Sequence, residues 1–246
     1  MIIPLQITTK NRNKTSKVPT KPNSSPIIEK IKSLYISNIA SFLIDIGHLS
    51  RDMKIINEGL NILTENSEII KKTIPEHEYT YNLANAKLAL IKKKKQDDMN
   101  FDDIIKINEV KNLYWKSYKE SYLENKEVKP ELLVNLANTL KLQFRLVESI
   151  NYYDIVNNEN GSIFQSWINR SETLFMLNNI SNSYSIKQLE EIKKGYVKSC
   201  IINKNNTDFN KFYKECISWI DDKIKKIKKD NKILDNIEDE LQTIDE

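Results

Sequence analysis

Residues 130–161 read PELLVNLANTLKLQFRLVESINYYDIVNNENG, and the phrase Asn135-Leu136-Ala137-Asn138 inside them repeats one met earlier, in YNLANAKLAL from Tyr81. Apolar residues recur at three and four through both copies, as at Leu133, Leu136 and Leu140, which is the spacing of one buried helical face. The stretch reads as a helical hairpin, with one helix over about 131–143 and a second over about 147–157. Two amides bracketing two apolar residues then lie one turn apart on a single side of the first helix.

The same pattern extends outward. Asn169 follows Asn135 by 34 residues, Asn82 precedes it by 53, and Asn38 precedes Asn82 by 44. The longer gaps hold insertions, the lysine-rich KKKKQDDMNFDD connection in one and SEIIKKTIPE around Ser67 in the other. Further helical pairs are predicted at about 27–46 with 52–63, 77–94 with 103–124, and 162–178 with 183–202. The first of them turns at Gly47-His48-Leu49-Ser50. A helix pair repeated about four times at a fixed period is the signature of an α-solenoid. A last helix from near Asp208 carries Phe209, Phe212, Tyr213, Cys216, Ile220, Ile224 and Ile227 on one side. It closes the array over residues 205–246, and its polar end, DNIEDELQTIDE, is expected to fray.

Composition agrees with this fold class, all-α. Four Gly and six Pro in 246 residues are too few turn residues for a sheet-rich fold and suit long helices with short connections. Residues 1–26 hold four of those prolines among Ser, Thr, Asn and Lys, with Lys10, Arg12, Lys14, Lys17 and Lys21 all preceding the first acid, Glu29. They read as a disordered basic tail ahead of repeats over 27–204. The net charge of +4, from 38 basic and 34 acidic side chains, does not by itself point to nucleic acid. No apolar run approaches the ~18 residues needed to span a bilayer, and MIIPLQITTK is too short and interrupted for a signal peptide. Cys200 and Cys216 form no metal or redox spacing and read as reduced core thiols of a cytoplasmic protein.

Residues 130–161 resemble one tetratricopeptide repeat (TPR) read end to end. With Pro130 as its first position, Leu133, Leu136 and Ala137 stand at the family's Trp, Leu and small-residue sites. Leu140, Ser149, Tyr153 and Val156 stand at the large, small, aromatic and small sites that lock the two helices. In the next repeat Trp167, Ser171 and Leu174 fall in register, and in the first Asn38, Ala40, Leu43 and Gly47 do, Gly47 in the family's turn. Ser149 and Val156 replace alanines, Gly161 replaces the closing proline and Arg170 replaces a leucine. The order of the repeats is also similar to a module that precedes HEPN-type ribonuclease domains in some bacterial proteins. The catalytic pattern of that nuclease, an Arg four to six residues before a His, is absent upstream of His48 and His77.

The TPR resemblance implies that positions 2, 5, 6, 9, 12 and 13 of each first helix line a concave face. Asn38, Asn82, Asn135 and Asn169 then form a column of amides, with Asn85 and Asn138 one turn further on. An Asn side chain offers one acceptor and two donors and so matches the backbone of an extended peptide. Tyr81, Leu88, Phe175 and Met176 would add apolar contact. The same amides can instead bond a neighbouring helix or loop, and both readings stand open. A clamp for a carboxylate-ended peptide is not expected, because Ser37, Tyr81, Val134, Ile168, Glu78, Glu131 and Gln165 occupy positions where Lys or Arg would be needed.

The expected function is therefore a non-catalytic protein-interaction adaptor that takes a peptide or partner helix, needs no cofactor and binds no membrane. Self-association through solenoid ends is compatible with it. The alternative is an RNA-associated accessory protein of a repeat–HEPN defence or toxin system. It would bind through Lys71, Lys72, Lys92–Lys95 and DDKIKKIKKDNK, with Tyr114, Trp115 and Tyr118 available for base stacking. Those aromatics fall at helical spacing, which favours a core role. No Gly-rich phosphate loop or nucleophile elbow is present, and Asp102-Asp103 and Asp221-Asp222 are adjacent pairs that diverge on a helix.

Overall fold

The computed structural model describes residues 26–91, 99–125, 127–181 and 184–242, the last stretch without side chains beyond residue 232. The basic tail, the run Lys92–Lys95 and the extreme carboxyl end lie outside the described residues.

Every regular element among the described residues is a helix: α1 Pro26–Leu49, α2 Met53–Glu65, α3 Ser67–Lys71, α4 Glu76–Ile91, α5 Phe101–Asn125, α6 Pro130–Leu142, α7 Leu146–Glu159, α8 Phe164–Ile180, α9 Ile186–Ile202 and α10 Thr207–Gln242. Helices α1/α2, α4/α5, α6/α7 and α8/α9 are antiparallel hairpins. Each hairpin packs on the next through its second helix, while the first helices α1, α4, α6 and α8 touch in succession along one wall. Contact restricted to sequence neighbours defines a solenoid, and the fold is an all-α solenoid of four hairpins.

The core is correspondingly a chain of clusters. One joins Ala40, Ile44, Ile56 and Leu63 to Tyr79 and Ala86; the next joins Leu88, Val110 and Tyr114 to Leu136 and Leu140. A third holds Ala137, Tyr153 and Val156, and the last joins Leu189, Ile192 and Tyr196 of α9 to Ile220 and Ile224 of α10. Small residues set the close approach inside hairpins. Ser149 Oγ donates to Ala137 O at 2.8 Å, and Ser117 Oγ donates to His77 O at 2.8 Å.

Three expectations change. Gly47 is not in the turn: it lies buried within α1, where a Cβ would come 2.7 Å from Ile56 Cγ1 and 2.8 Å from Ile56 N. The turn is at Ser50–Asp52, where Arg51 adopts φ 56° and Asp52 N–H reaches back to Gly47 O. The insertion at Ser67 contains a short helix, α3, anchored by the fully buried Ile70. Helix α10 continues to Gln242, into the polar end DNIEDELQTIDE that was expected to fray; Glu, Leu and Gln in that stretch are good helix formers.

Candidate functional site

The wall of first helices bounds a groove of about 590 Å³, lined by Ile44, Asp45 and His48 of α1, Tyr81, Asn85, Leu88 and Ala89 of α4, Glu131, Val134, Asn135 and Asn138 of α6, and Gln165 and Asn169 of α8. Ser162 and Ile163, from the α7–α8 connection, complete the rim. Four helices separated by over a hundred residues of chain thus present one surface, because each first helix repeats the same phase.

Within the groove the amides pair across hairpins in a recurring three-part unit. Asn85 Oδ1 accepts from Tyr114 Oη at 2.7 Å and from Asn135 Nδ2 at 3.0 Å. One hairpin further, Asn138 Oδ1 accepts from Tyr153 Oη at 2.6 Å and from Asn169 Nδ2 at 2.9 Å. Each Asn-Leu-Ala-Asn phrase therefore has a division of labour. Its second Asn, in α4 or α6, receives the amide of the next hairpin and the phenol of its own second helix. Asn135 also donates to Tyr81 Oη at 3.3 Å. Burial pushes the phenols of Tyr114, Tyr153 and Tyr81 above the ordinary tyrosine range, so all three stay neutral, and Tyr114 and Tyr153 act as donors.

Inter-hairpin bonding does not exhaust these side chains. The Asn138 amide nitrogen and the carbonyl oxygens of Asn135 and Asn169 take no part in the ladder, and all three residues are half-buried at the groove surface. The site accordingly offers both acceptors and donors beside apolar Val134, Leu88 and Ile44. Asp45 and Glu131 are its carboxylates, and among the described residues no Lys or Arg lines it. Lys141, on the same side of α6, is held 3.1 Å from Glu172 Oε2 of α8.

Three expected site residues lie elsewhere. Asn38 is exposed on α1, away from the groove, because the face of α1 turned to α2 and α4 carries Ser33, Ser37, Ala40 and Ile44 instead. Asn82 lines a separate cavity of about 140 Å³ with His77, Ser117, Ser121 and Lys129, the space between α4, α5 and the start of α6. Phe175 is drawn into the C-terminal aromatic cluster, 5.6 Å from Trp219 and 5.9 Å from Tyr184 between ring centroids. Tyr114 is fully buried, whereas Trp115 and Tyr118 are half-buried against the second core cluster, and Trp115 also lines an open hollow with Lys116 and Lys119. His77 begins α4 with Glu76 and Glu78 as expected, but it is buried, with Nδ1 2.8 Å from Glu124 Oε2.

The phenols of Tyr114 and Tyr153 and the α7–α8 rim were not anticipated as site parts. Tyr114 lies 29 residues after Asn85, across the lysine-rich insertion, whereas Tyr153 lies only 15 after Asn138. That unequal spacing hides their equivalence.

No family model matches this chain, and no curated protein matches it. Among solved structures it is similar to a DHF58 filament, at 10% identity and a TM-score of 0.24, over 83% of this chain and 99% of that one. It is also similar to the de novo designed helical repeat protein DHR64, at 9% identity and a TM-score of 0.22, over 83% and 100% of the two chains. No helix among the described residues is long and apolar enough to cross a membrane.

Proposed function

We propose that this protein is a non-catalytic, TPR-like recognition module of the cytoplasm whose groove holds an extended segment of another protein. The observation that carries the reading is the half-used amide ladder. Asn135, Asn138 and Asn169 are fixed by bonds between hairpins, and each keeps a polar atom for a ligand. Side chains locked before binding lose little entropy on binding, so backbone hydrogen bonds made there add net affinity. Val134, Leu88 and Ile44 supply apolar contact, and Asp45 and Glu131 favour a segment carrying a Lys or Arg.

Asn138→Asp separates binding from folding. An aspartate at 138 still accepts from Tyr153 and Asn169 but no longer donates to a peptide carbonyl, and it repels that oxygen. Selection of a displayed random-peptide library on the wild-type protein should enrich binders, and titration calorimetry should show their affinity falling at least about tenfold in the variant. Binding should weaken only mildly with salt, unlike phosphate-driven contact. Enriched peptides that bind Asn138→Asp and wild type equally would remove the groove reading.

A further inference from the structure

Helix α1 has two apolar faces. The inner one is built of small residues, with Ser33, Ser37, Ala40, Ile44 and Gly47 buried against the array. The opposite one carries Ile27, Ile28, Ile31, Leu34, Tyr35, Phe42, Ile46 and Leu49, all between 37% and 82% exposed. At about 100° per residue these eight fall on one stripe running the length of the helix. A solenoid end exposed to water carries a polar outer face. The opposite end comes nearer to that rule, since α10 covers α9 with Ile220 and Ile224 and exposes mostly lysines, with Phe212 and Trp219 as its exposed rings. The α1 end breaks it.

We infer that the outer stripe of α1 is the contact surface for a second copy of this chain, with the two α1 helices antiparallel about a two-fold axis at Asn38. Three observations select that occupant. Asn38 is an exposed polar residue within the apolar stripe, and it lies midway, with Ile27 and Leu49 each eleven residues away and Leu34 and Phe42 each four away. An antiparallel pair centred there sets Ile27 on the other copy's Leu49, Leu34 on Phe42, and amide on amide. An Asn at the midpoint of an apolar seam fixes register in this way in helix pairs.

Charge agrees. Lys30 flanks the stripe near one end, while Asp45, about five helical turns after Ile27, lies within it near the other. Antiparallel packing brings Lys30 to the other copy's Asp45 twice, while parallel packing would set like charges together. The basic segment before residue 26 is a poorer cover, because the stripe's first turns already carry Lys30 and Lys32. Area agrees as well: the eight side chains expose roughly 800–1,000 Å² per protomer, the size of a standard stable interface. Asp45 also borders the groove, so Phe42→Glu and Lys30→Glu, at residues outside the groove lining, separate this inference from peptide binding.

Light scattering on the sized full chain should give twice the chain mass. Phe42→Glu should give the single mass with an unchanged helical spectrum, since Phe42 is 63% exposed and its loss leaves the fold intact. Lys30→Glu should raise the dimer dissociation constant about tenfold, and adding Asp45→Lys should restore it. A wild-type chain of single mass overturns the inference, as does a dimer indifferent to Phe42→Glu. A charge reversal that Asp45→Lys fails to rescue overturns the antiparallel arrangement.

Discussion

Asn85 and Asn138 each gather two donors on one carbonyl oxygen, a phenol from the same hairpin and an amide from the next. Replacing Asn138 with Leu strands the Tyr153 hydroxyl, on a fully buried ring, and one Asn169 N–H; denaturant titration should show a loss of about 1–3 kcal/mol. Asn138→Asp keeps both bonds and should cost far less. The phenols also set a pH dependence. Burial raises the Tyr114 and Tyr153 pKa values above that of the unfolded chain, near 10. Above that pH the unfolded state has released protons that the folded state retains, so stability falls as pH rises. Each such tyrosine contributes a slope of about 1.4 kcal/mol per pH unit in that window. Tyr114→Phe and Tyr153→Phe should each make alkaline unfolding shallower. The repeated phrase and the 34-residue period placed Asn135, Asn138 and Asn169 in one column, and left open whether they bond a neighbouring helix; they do not identify which amide meets which. The amide pairs Asn85–Asn135 and Asn138–Asn169 are 50 and 31 residues apart, and only assembled hairpins bring them within reach.

Hairpin turns show what governs single elements. In the first and third hairpins the chain leaves its first helix through a non-glycine residue in the left-handed region, Arg51 at φ 56° and Phe144 at φ 57°. The next N–H, of Asp52 or Arg145, then bonds the carbonyl five residues back, on Gly47 or Leu140. That conformation favours glycine. Phe144 is exposed, so Phe144→Gly should raise the thermal midpoint, by an amount equivalent to about 0.5–1 kcal/mol. The TPR resemblance implies that Gly47 lies in the turn. The structure uses it for helix packing, because α2 approaches too closely for any side chain. Gly195 has the same role between α9 and α8. A Cβ there would overlap Ser171 Oγ and stand 2.9 Å from Trp167 O. Gly195→Ala should destabilise by about 1–3 kcal/mol, and Ser171→Ala, which removes a buried hydroxyl without a partner, should relieve part of that cost in the double variant. Helix boundaries were legible to within about three residues because the apolar period changes there. Helix α3 was not, since five residues carry too few periods to be seen.

At the scale of the molecule, the 34-residue spacing from Asn135 to Asn169 was enough to predict stacked hairpins, and the contacts between successive hairpins are those of a solenoid. Which faces end up covered was less legible. Periodicity shows that α1 and α10 are amphipathic, but the second apolar face of α1 and the capture of Phe175 by Trp219 depend on where neighbours stop. Neighbour-only contact has an energetic consequence: stability is distributed by hairpin, and damage at one end should stay there. Ile220 is 1% exposed and joins α10 to Leu189 and Ile192 of α9. Ile220→Ala should cost about 2–5 kcal/mol locally. Native-state hydrogen exchange should then show that protection lost in α9 and α10, while amides of α4, α5, α6 and α7 keep theirs. A uniform loss over all helices would instead describe a single cooperative bundle, in which the groove could not adjust one hairpin at a time.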